Sequence, residues 1–372
     1  MKVLCVVPYP TEAPSNRLRV EQYFPYLRQH GITPILRPFM TSLFYNIRYS
    51  PGDLSRKVAS FGMSTLSRLS DVARASRADV ILVHREAFPF GGPFFEEAMA
   101  RTKVPIVFDF DDAIYLPNSA DANRFVTYLK RPHKTARAIQ LSSWVIAGNE
   151  NLKSYASRYN SNITVIPTPV DTDYFAPRTE VPANDRVVIG WIGSNTTAPY
   201  LRMLVRALDQ ITEKYPNVDV RVVGGSYVPP IVHNLQVRRW DLDQELDELH
   251  GFDIGIMPMP DTEWTRGKCG FKALLYMSVG IPPVCSPVGV TTDILQDGYN
   301  GLLATTTEEW VDRLSLLIED IPLRRKMGEA GRQWVLERFS LHAQAPRFLD
   351  VLQRAHSGEP STLRPAVSAQ SA

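Results

Sequence analysis

Two lysines beside a glycine-bounded helix make segment 267–289 the strongest candidate for chemistry in this chain of 372 residues. Apolar residues at helical spacing predict a helix over 271–279, and Gly280 is placed to end it in a left-handed conformation. Lys268 and Lys272 lie four residues apart and bracket the N-terminus of this helix. Unpaired amides, the helix dipole and two ammonium groups together predict an anion site, for which diphosphate is the obvious occupant. The alternative is that both lysines are solvated surface charges.

A second candidate is a polar loop between a predicted strand over 187–192 and a predicted helix over 199–214. The loop consists of Gly193, Ser194, Asn195 and Thr196. Glycine lets the backbone approach a phosphate, and hydroxyl and amide groups can donate to it. An ordinary N-capping loop, with Ser194 or Thr196 as the cap, is the alternative. Trp240 follows a strand-like run and is a candidate to stack on a nucleotide base, with core packing as the alternative.

The first half of the chain carries two arginines after its first predicted strand, at 2–7. Arg17 and Arg19 are candidates to hold a diphosphate or an anionic acceptor, because a guanidinium binds phosphate in a forked geometry. Solvation at a helix start is the alternative. His84 ends a predicted strand over 79–84 and is a candidate to bond an acceptor hydroxyl, with a satisfied structural histidine as the alternative.

Three aspartates cluster at the end of another predicted strand, over 105–110. Asp109, Asp111 and Asp112 are costly at that point unless they are solvated, cap a helix or have a function. Asp111 is the candidate catalytic residue of the three. Adjacent carboxylates also suit Mg²⁺, and helix N-capping by Asp111 or Asp112 is a further alternative.

Composition limits the classes of protein that this chain can be. Apolar residues at 44% and charged residues at 22% are ordinary for a soluble globular protein. No apolar run reaches about eighteen residues, and the run at the start is too short for a signal peptide, so we expect a cytoplasmic protein. Three cysteines at no metal-like spacing predict reduced thiols and no zinc site.

The charge is distributed unevenly. Up to residue 180 the chain has 22 basic against 16 acidic residues. This excess favours an anionic membrane surface or a phosphorylated acceptor for the first half, with ordinary surface bias as the alternative. No basic run with interleaved aromatic residues indicates nucleic acid binding.

Strand and helix signals alternate through both halves of the chain. In the first half, strands are predicted at 2–7, 79–84, 105–110, 144–147 and 164–167, and helices at 18–30 and 93–101. In the second half, strands are predicted at 187–192, 219–223, 252–257 and 281–285, and helices at 199–214, 271–279, 308–317, 323–339 and 341–355. The alternation predicts an α/β protein of two Rossmann-like, doubly wound domains. We place them at 1–180 and 185–340, joined by a proline-rich linker at 177–184, and expect a last helix at 341–356 and a disordered tail at 357–372.

Segment 267–289 resembles the donor-binding motif of family-four retaining glycosyltransferases, which have the two-domain GT-B fold. The residues Met277, Ser278, Val279, Gly280, Ile281, Pro282, Pro283 and Val284 align on the motif's ending "AMAxGxPVV". This alignment puts Gly267 and Leu275 where the family has two glutamates, so both acids are missing. A branch with "GKxxxKxLxYMAxGxP" is more similar, and in that branch the lysines stand in for the usual phosphate contacts. The last helix is similar to the family's segment that crosses back to the first domain.

The resemblance implies transfer of a sugar from a nucleoside-diphosphate donor to a hydroxyl acceptor, with retention and without a bound metal. Its implied donor-binding residues are the loop at 193–196, Trp240, Lys268, Cys269, Gly270 and Phe271. Lys272 would stabilise the leaving diphosphate, and Asp111 stands where the family often has a histidine. The implied acceptors are lipid-linked or polysaccharide intermediates, with Leu43, Phe44 and Tyr45 as a candidate peripheral membrane contact.

Two rival functions stay open at this point. A degenerate transferase would bind a nucleotide sugar, or serve as the partner subunit of an active enzyme, without turnover. A sugar-nucleotide epimerase has the same architecture, but it needs paired acids deep in the cleft. The absence of acids at Gly267 and Leu275 weighs against the epimerase.

Overall fold

The computed structural model describes residues 1–47, 52–116, 133–179, 186–225, 227–230 and 233–359. The chain divides into two compact units, one of Met1–Pro167 with Ala345–Ala372 and one of Thr168–Gln344. This division lies ahead of the linker predicted at 177–184, of which 180–184 lie outside the described residues. The predicted disordered tail also lies outside them from residue 360 onward.

The first unit is built on a parallel sheet. Its strands are β1 (Lys2–Val7), β2 (Thr33–Pro38), β3 (Val80–His84), β4 (Ile106–Phe110), β5 (Trp144–Ala147) and β6 (Ile163–Val165). They lie in the order β2-β1-β3-β4-β5-β6 with every pair parallel. Strands β3, β4 and β5 are buried along their whole length, which explains their near-continuous apolar sequences. The strand order reverses between β1 and β3, and ligands of such sheets bind at that point.

The helices of the first unit cover its sheet. They are α1 (Pro14–Arg19), α2 (Phe24–Gln29), α3 (Ser42–Ile47), α4 (Leu54–Ala75), α5 (Phe94–Ala100), α6 (His133–Leu141) and α7 (Glu150–Ala156). The single helix predicted at 18–30 is wrong, because the chain forms α1, a 3₁₀ turn at Glu21–Tyr23 and then α2. Pro25 explains the break, since proline is tolerated in the first turn of a helix but not in its interior.

Among the elements of the first unit that were not predicted from the sequence, α4 is the longest. It is 22 residues long and follows Asp53, which has a left-handed backbone (φ 52°). Its buried residues are Ser64, Arg68, Asp71 and Ala75, so its inward face is mostly polar. A search for apolar residues facing a core therefore could not find it.

The second unit repeats the architecture with a second parallel sheet. Its strands are β7 (Val187–Ile192), β8 (Val218–Val223), β9 (Leu235–Arg238), β10 (Ile254–Met257), β11 (Pro283–Cys285) and β12 (Leu302–Leu303). They lie in the order β12-β11-β10-β7-β8-β9, again parallel throughout. The order reverses between β7 and β10, so the loop after β7 lies at the second sheet's own switch point.

The helices of the second unit pack on both faces of this sheet. They are α8 (Val205–Lys214), α9 (Glu245–His250), α10 (Glu263–Arg266), α11 (Phe271–Ser278), α12 (Thr291–Ile294), α13 (Thr307–Glu319) and α14 (Ile321–Arg338). The start of the helix predicted at 199–214 is instead a 3₁₀ helix, Ala198–Leu204. A last helix, α15 (Leu341–Ser357), begins in the second unit, and its residues from Ala345 belong to the first. Among the described residues, none of the helices is both long and apolar enough to cross a membrane.

Glycines inside the strands of the second unit let aromatic rings pack directly on the sheet. A methyl group at Gly190 in β7 would lie 2.1 Å from the ring of Phe252, and one at Gly255 in β10 would lie 2.3 Å from the ring of Tyr276. Tyr276 belongs to α11, and its hydroxyl accepts a hydrogen bond from the backbone N of Ile192 (3.2 Å). This packing fixes α11 against the end of β7.

Candidate functional site

The loop after β7 brings two glycine segments together at the switch point of the second sheet. The backbone N of Gly193 donates to the carbonyl of Val223, at the end of the neighbouring strand (3.0 Å). Gly224 and Gly225 follow that strand with left-handed backbones (φ 77° and 74°). A methyl group at Gly224 would lie 2.4 Å from the carbonyl oxygen of Gly193, so no side chain fits between the loops. Backbone groups of the two loops therefore lie directly against each other at this point.

Lys272 reaches this loop from the first turn of α11. A methyl group added at Gly193 would lie 2.7 Å from Cε of Lys272 and equally close to the ring of Trp191. The Lys272 Nζ lies 5.6 Å from the centroid of the Trp191 ring, which is buried at the end of β7. Lys272 is half-buried, so its ammonium is partly removed from water. The structure thus places a cation beside the glycine loop.

The N-terminus of α11 is shaped by Gly270, which has a left-handed backbone (φ 63°) and no capping side chain. Methyl groups of Ile294 and Val290 lie 2.7 and 3.1 Å from where a Gly270 methyl would be. Cys269 is buried, and Phe271 is half-buried as the first residue of the helix. As predicted, Gly280 follows the helix with φ 77°.

The two lysines of the predicted clamp have different surroundings. The Nζ of Lys268 lies 5.3 Å from the Trp264 ring centroid, in α10, whereas Lys272 lies over Trp191. Both side chains are half-buried rather than freely solvated. Of the two, Lys272 is the one that the structure places against Gly193.

The polar residues of the loop do not cap the following helix. Ser194 Oγ and Thr196 Oγ1 hydrogen-bond to each other (2.8 Å), and Thr197, the N-cap residue, makes no side-chain cap. Ser194, Asn195 and Thr196 are exposed. Trp240 lies beside Gly224, half-buried, and its Nε1 donates to Glu245 (3.1 Å). Loop hydroxyls and Trp240 thus flank the glycine loops.

In the first unit, Arg19 is a buried structural residue. It is 1% exposed, and its guanidinium donates to both carboxylate oxygens of Asp109 (2.8–3.2 Å) and to the carbonyl of Ile166 (2.6 Å). Its pKa is raised because the attraction of Asp109 outweighs the opposing effect of burial. This burial corrects the expectation that Arg19 reaches a diphosphate. Arg17, which is half-buried in the same short helix, stays a candidate.

His84 completes a buried network at the switch point of the first sheet. Its Nδ1 lies 2.7 Å from Oδ2 of Asp109, and its Nε2 lies 3.0 Å from Oγ of Ser15. The ring is fully buried, and both nitrogens have partners. The structure therefore agrees with a satisfied structural histidine at position 84. His84 could contact an acceptor hydroxyl only if Ser15 released its hydrogen bond to Nε2.

Asp111 and Asp112 share one cation. The guanidinium of Arg85 lies 2.7 Å from Asp111 and 3.0 Å from Asp112. Burial acts to raise the pKa of Asp111, but the positive charge of Arg85, with smaller effects of His84 and Arg19, lowers it to about 2. Asp111 is therefore an anion at neutral pH, and its side chain is 13% exposed.

The carboxylates at the end of β4 are thus all paired with cations. In the described part of the chain, no three His, Cys, Asp or Glu side chains are grouped so that they could hold a metal ion. These acids were predicted as candidates, but their pairing with Arg85 and Arg19 was not. A charged residue inside an apolar strand was the available signal, since burial of a lone carboxylate is too costly to occur unpaired. Gly224 and Gly225, which follow β8, were a further signal in the sequence for the glycine loops.

The comparisons with known proteins agree with this geometry. Residues 186–320, which hold most of the second unit's sheet, match the family model described as "Glycosyl transferases group 1". This segment is therefore similar to that family. One curated relative is the GDP-mannose-dependent alpha-(1-6)-phosphatidylinositol monomannoside mannosyltransferase of Mycolicibacterium smegmatis, 27% identical over 219 residues, 50% of this chain and 55% of the relative. Another is the D-inositol 3-phosphate glycosyltransferase of Corynebacterium aurimucosum, 27% identical over 228 residues, 53% and 52% of the two chains. The chain spans about half the length of these curated relatives.

Solved structures resemble nearly the whole chain. A glycosyltransferase from Rickettsia africae superposes with a TM-score of 0.68 at 16% identity, over 95% of this chain and 98% of that one. Anabaena HepE in complex with UDP and glucose gives 0.67 at 15%, over 95% and 99%. Sucrose-phosphate synthase from Thermosynechococcus elongatus gives 0.69 at 13%, over 96% and 99%. The chain has the GT-B fold, which confirms the predicted pair of Rossmann-like units.

Proposed function

We propose that this protein transfers a sugar from a nucleoside-diphosphate sugar to a hydroxyl acceptor, with retention of configuration. The observation that carries the proposal is the position of Lys272 against Gly193, at the switch point of the second sheet. A cation, a glycine loop and the N-terminus of α11 meet there. Together they provide backbone donors and a positive charge for a diphosphate.

Lys272 has the main chemical role in this proposal. Negative charge grows on the diphosphate as the bond to the sugar breaks, and a fixed ammonium stabilises that charge more in the transition state than in the ground state. The acceptor hydroxyl attacks the face that the diphosphate leaves, and a phosphate oxygen accepts its proton. Retention follows from attack on that same face.

We propose that the reaction needs no bound metal. Asp109, Asp111 and Asp112 are the acids that would suit Mg²⁺, and each is paired with an arginine. Their pairing supports neutralisation of the diphosphate by Lys272 and backbone amides instead. We therefore expect turnover to survive EDTA. Turnover that EDTA abolishes and Mg²⁺ or Mn²⁺ restores would contradict this part of the proposal.

The acceptor is proposed to be a lipid-linked or polysaccharide intermediate. One relative is a phosphatidylinositol monomannoside mannosyltransferase, and HepE was solved with UDP-glucose. In the first unit, Asp111 is the ionised, partly exposed candidate to hold the sugar or acceptor. A peripheral membrane contact would fit a lipid-linked acceptor. In the segment predicted for it, Leu43 is exposed, whereas Phe44 is buried and Tyr45 packs edge-on against Tyr9.

One observation keeps a second function in view. Gly267 and Leu275 replace the two motif glutamates, so no acid occupies these positions. Both residues are buried in the second unit. A protein that binds a nucleotide sugar without turnover, alone or as a partner subunit, would tolerate this loss. An epimerase would not.

The test is a panel of labelled UDP-, GDP- and ADP-sugars incubated with the purified protein. We expect slow hydrolysis of at least one donor, and a released sugar that keeps the donor's anomeric configuration when its early proton NMR spectrum is recorded. Tight binding of a donor without any release would favour the binding protein. An altered nucleotide sugar, or a free sugar epimer, would favour the epimerase.

A further inference from the structure

Helix α4 of the first unit exposes most of its large apolar side chains, although Phe61 packs inward against Phe39 and Phe88. Five large apolar side chains on it are between 55% and 74% exposed, namely Leu54, Val58, Met63, Leu66 and Leu69. Its buried positions are Ser64, Arg68, Asp71 and Ala75. This is the reverse of the usual arrangement in a helix of a soluble domain.

Buried ion pairs fix the helix in this orientation. Arg68 and Asp71 are each 1% exposed and lie 3.0 Å apart. The Arg68 guanidinium also donates to the carbonyls of Val7 and Arg37, and the side chain of Arg37 in turn contacts Asp71. Rotation of α4 to bury its leucines would expose or break this network. The outward apolar face is therefore a built feature of the unit.

Four of the five exposed apolar side chains lie on one face of the helix. Positions 54, 58, 66 and 69, with Gly62 between them, follow the three- and four-residue spacing of one helix face. At about 1.5 Å per residue, the stripe from Leu54 to Leu69 is about 22 Å long. Helix α5 contacts α4 and exposes Phe94, at 65%. Singly scattered apolar residues need no explanation, but a stripe of this length does.

Positive charge accompanies the stripe. Arg56, Arg74 and Arg77 lie on or beside α4 outside its buried face. Residues 52–77 contain two acids, Asp53 and Asp71. Asp53 is exposed, whereas Asp71 is buried and paired with Arg37 and Arg68. The stripe with these three cations is named the α4 surface. Its charge complements an anionic partner.

We propose that the α4 surface docks on an anionic lipid bilayer. An interfacial helix lies lengthwise, with its apolar side chains about 5–10 Å deep and its cations at the headgroups, and a single long stripe with cations on the same helix fits this geometry. The proposal rests on the proposed function in one respect: the docked enzyme would meet its lipid-linked acceptor at the membrane.

The test is cosedimentation of the full chain with vesicles, in the absence of donor and acceptor. We expect binding to phosphatidylcholine vesicles that contain phosphatidylglycerol, and weaker binding when salt is raised. The double variant Leu66→Glu/Leu69→Glu should lower the partition coefficient by at least roughly tenfold. Arg74→Gln/Arg77→Gln should lower binding to the anionic vesicles by about fivefold per charge and leave binding to pure phosphatidylcholine unchanged.

Ile321→Glu is the matched control, because Ile321 is 45% exposed at the start of α14 in the second unit. It should bind vesicles like the unaltered chain. If the glutamate pair fails to fold by circular dichroism, Leu66→Ser/Leu69→Ser serves as the second variant. The proposal is overturned if the unaltered chain ignores anionic vesicles or if Ile321→Glu loses as much binding. It is also overturned if the chain self-associates in solution and the α4 variants abolish that association instead.

Because no sugar is present, failure of vesicle binding leaves the donor hydrolysis test untouched. Failure of donor hydrolysis likewise leaves vesicle binding to be measured. The two proposals can therefore fall separately.

Discussion

Removal of the Lys272 ammonium is the sharpest perturbation of the proposed chemistry. The side chain is half-buried over Trp191, so an effective dielectric constant near 20 is appropriate for its environment. A unit charge at about 4 Å is then stabilised by roughly 4 kcal/mol. Part of this attraction is already present in the bound donor. If about 2.7 kcal/mol is specific to the transition state, Lys272→Ala should lower kcat roughly 100-fold and weaken donor binding much less.

Two further variants separate charge from packing. Lys272→Met keeps an aliphatic stem over Trp191, and we expect it to lose nearly as much kcat as Lys272→Ala. Lys272→Arg should recover only part, because a planar guanidinium does not reproduce a compact ammonium. Lys214→Ala is the control, since Lys214 is 55% exposed and its ion pair is with the exposed Glu319.

The assay is steady-state kinetics on the donor identified by hydrolysis, with the melting temperature of each variant measured in parallel. Turnover of Lys272→Met near that of the unaltered protein, with the fold intact, would refute the reasoning. The cation would then have to be sought at Lys268 or Arg17.

Three other perturbations follow from the structure. Gly193→Ala should weaken donor binding at least roughly tenfold, measured by calorimetry, because its methyl group would lie 2.7 Å from both Lys272 and the buried Trp191 ring. An unchanged affinity would mean that the loop does not contact the donor. Asp109→Asn should lower the free energy of unfolding, measured in urea, by about 3–5 kcal/mol, because it leaves Arg19 buried without its charge partner. Asp173→Asn is the control, at an exposed pair with His342, and should lower it by less than about 1 kcal/mol. The pKa of Asp111 is about 2 in the fold and 3.8 ordinarily, so its ionised form should add about 2 kcal/mol to the free energy of unfolding above pH 4 and lose this as pH falls towards 2. Asp111→Asn should flatten the fall of stability with acid, and an unchanged fall would contradict the lowered pKa of Asp111.

Much of the fold could be predicted because buried parallel strands leave a strong signal. The bounds of β1, β5 and β7 agree with those predicted from their apolar runs, and Gly280 ends α11 as expected. Such strands are apolar on both faces, so their sequences have few alternatives. Helix α4 gave no such signal, because its position is fixed by ion pairs and its leucines face outward.

The site was predictable in its residue types but not in its pairings. Lys272 and Gly193 were both named, and their contact arises from the crossover that places α11 beside β7. The pairing of Arg19 with Asp109 joins residues 90 positions apart, which only the order of the strands brings together. Local spacing carries no information about such a contact.

The most direct test of the central claim is a crystal structure of the protein with a bound nucleoside diphosphate, chosen from UDP, GDP and ADP by calorimetry. The account predicts the β-phosphate within about 3.2 Å of Lys272 Nζ, with its oxygens accepting from backbone amides of the Gly193 loop or the start of α11. A diphosphate bound elsewhere in the chain, or at this loop with Lys272 turned away from it, would contradict the account.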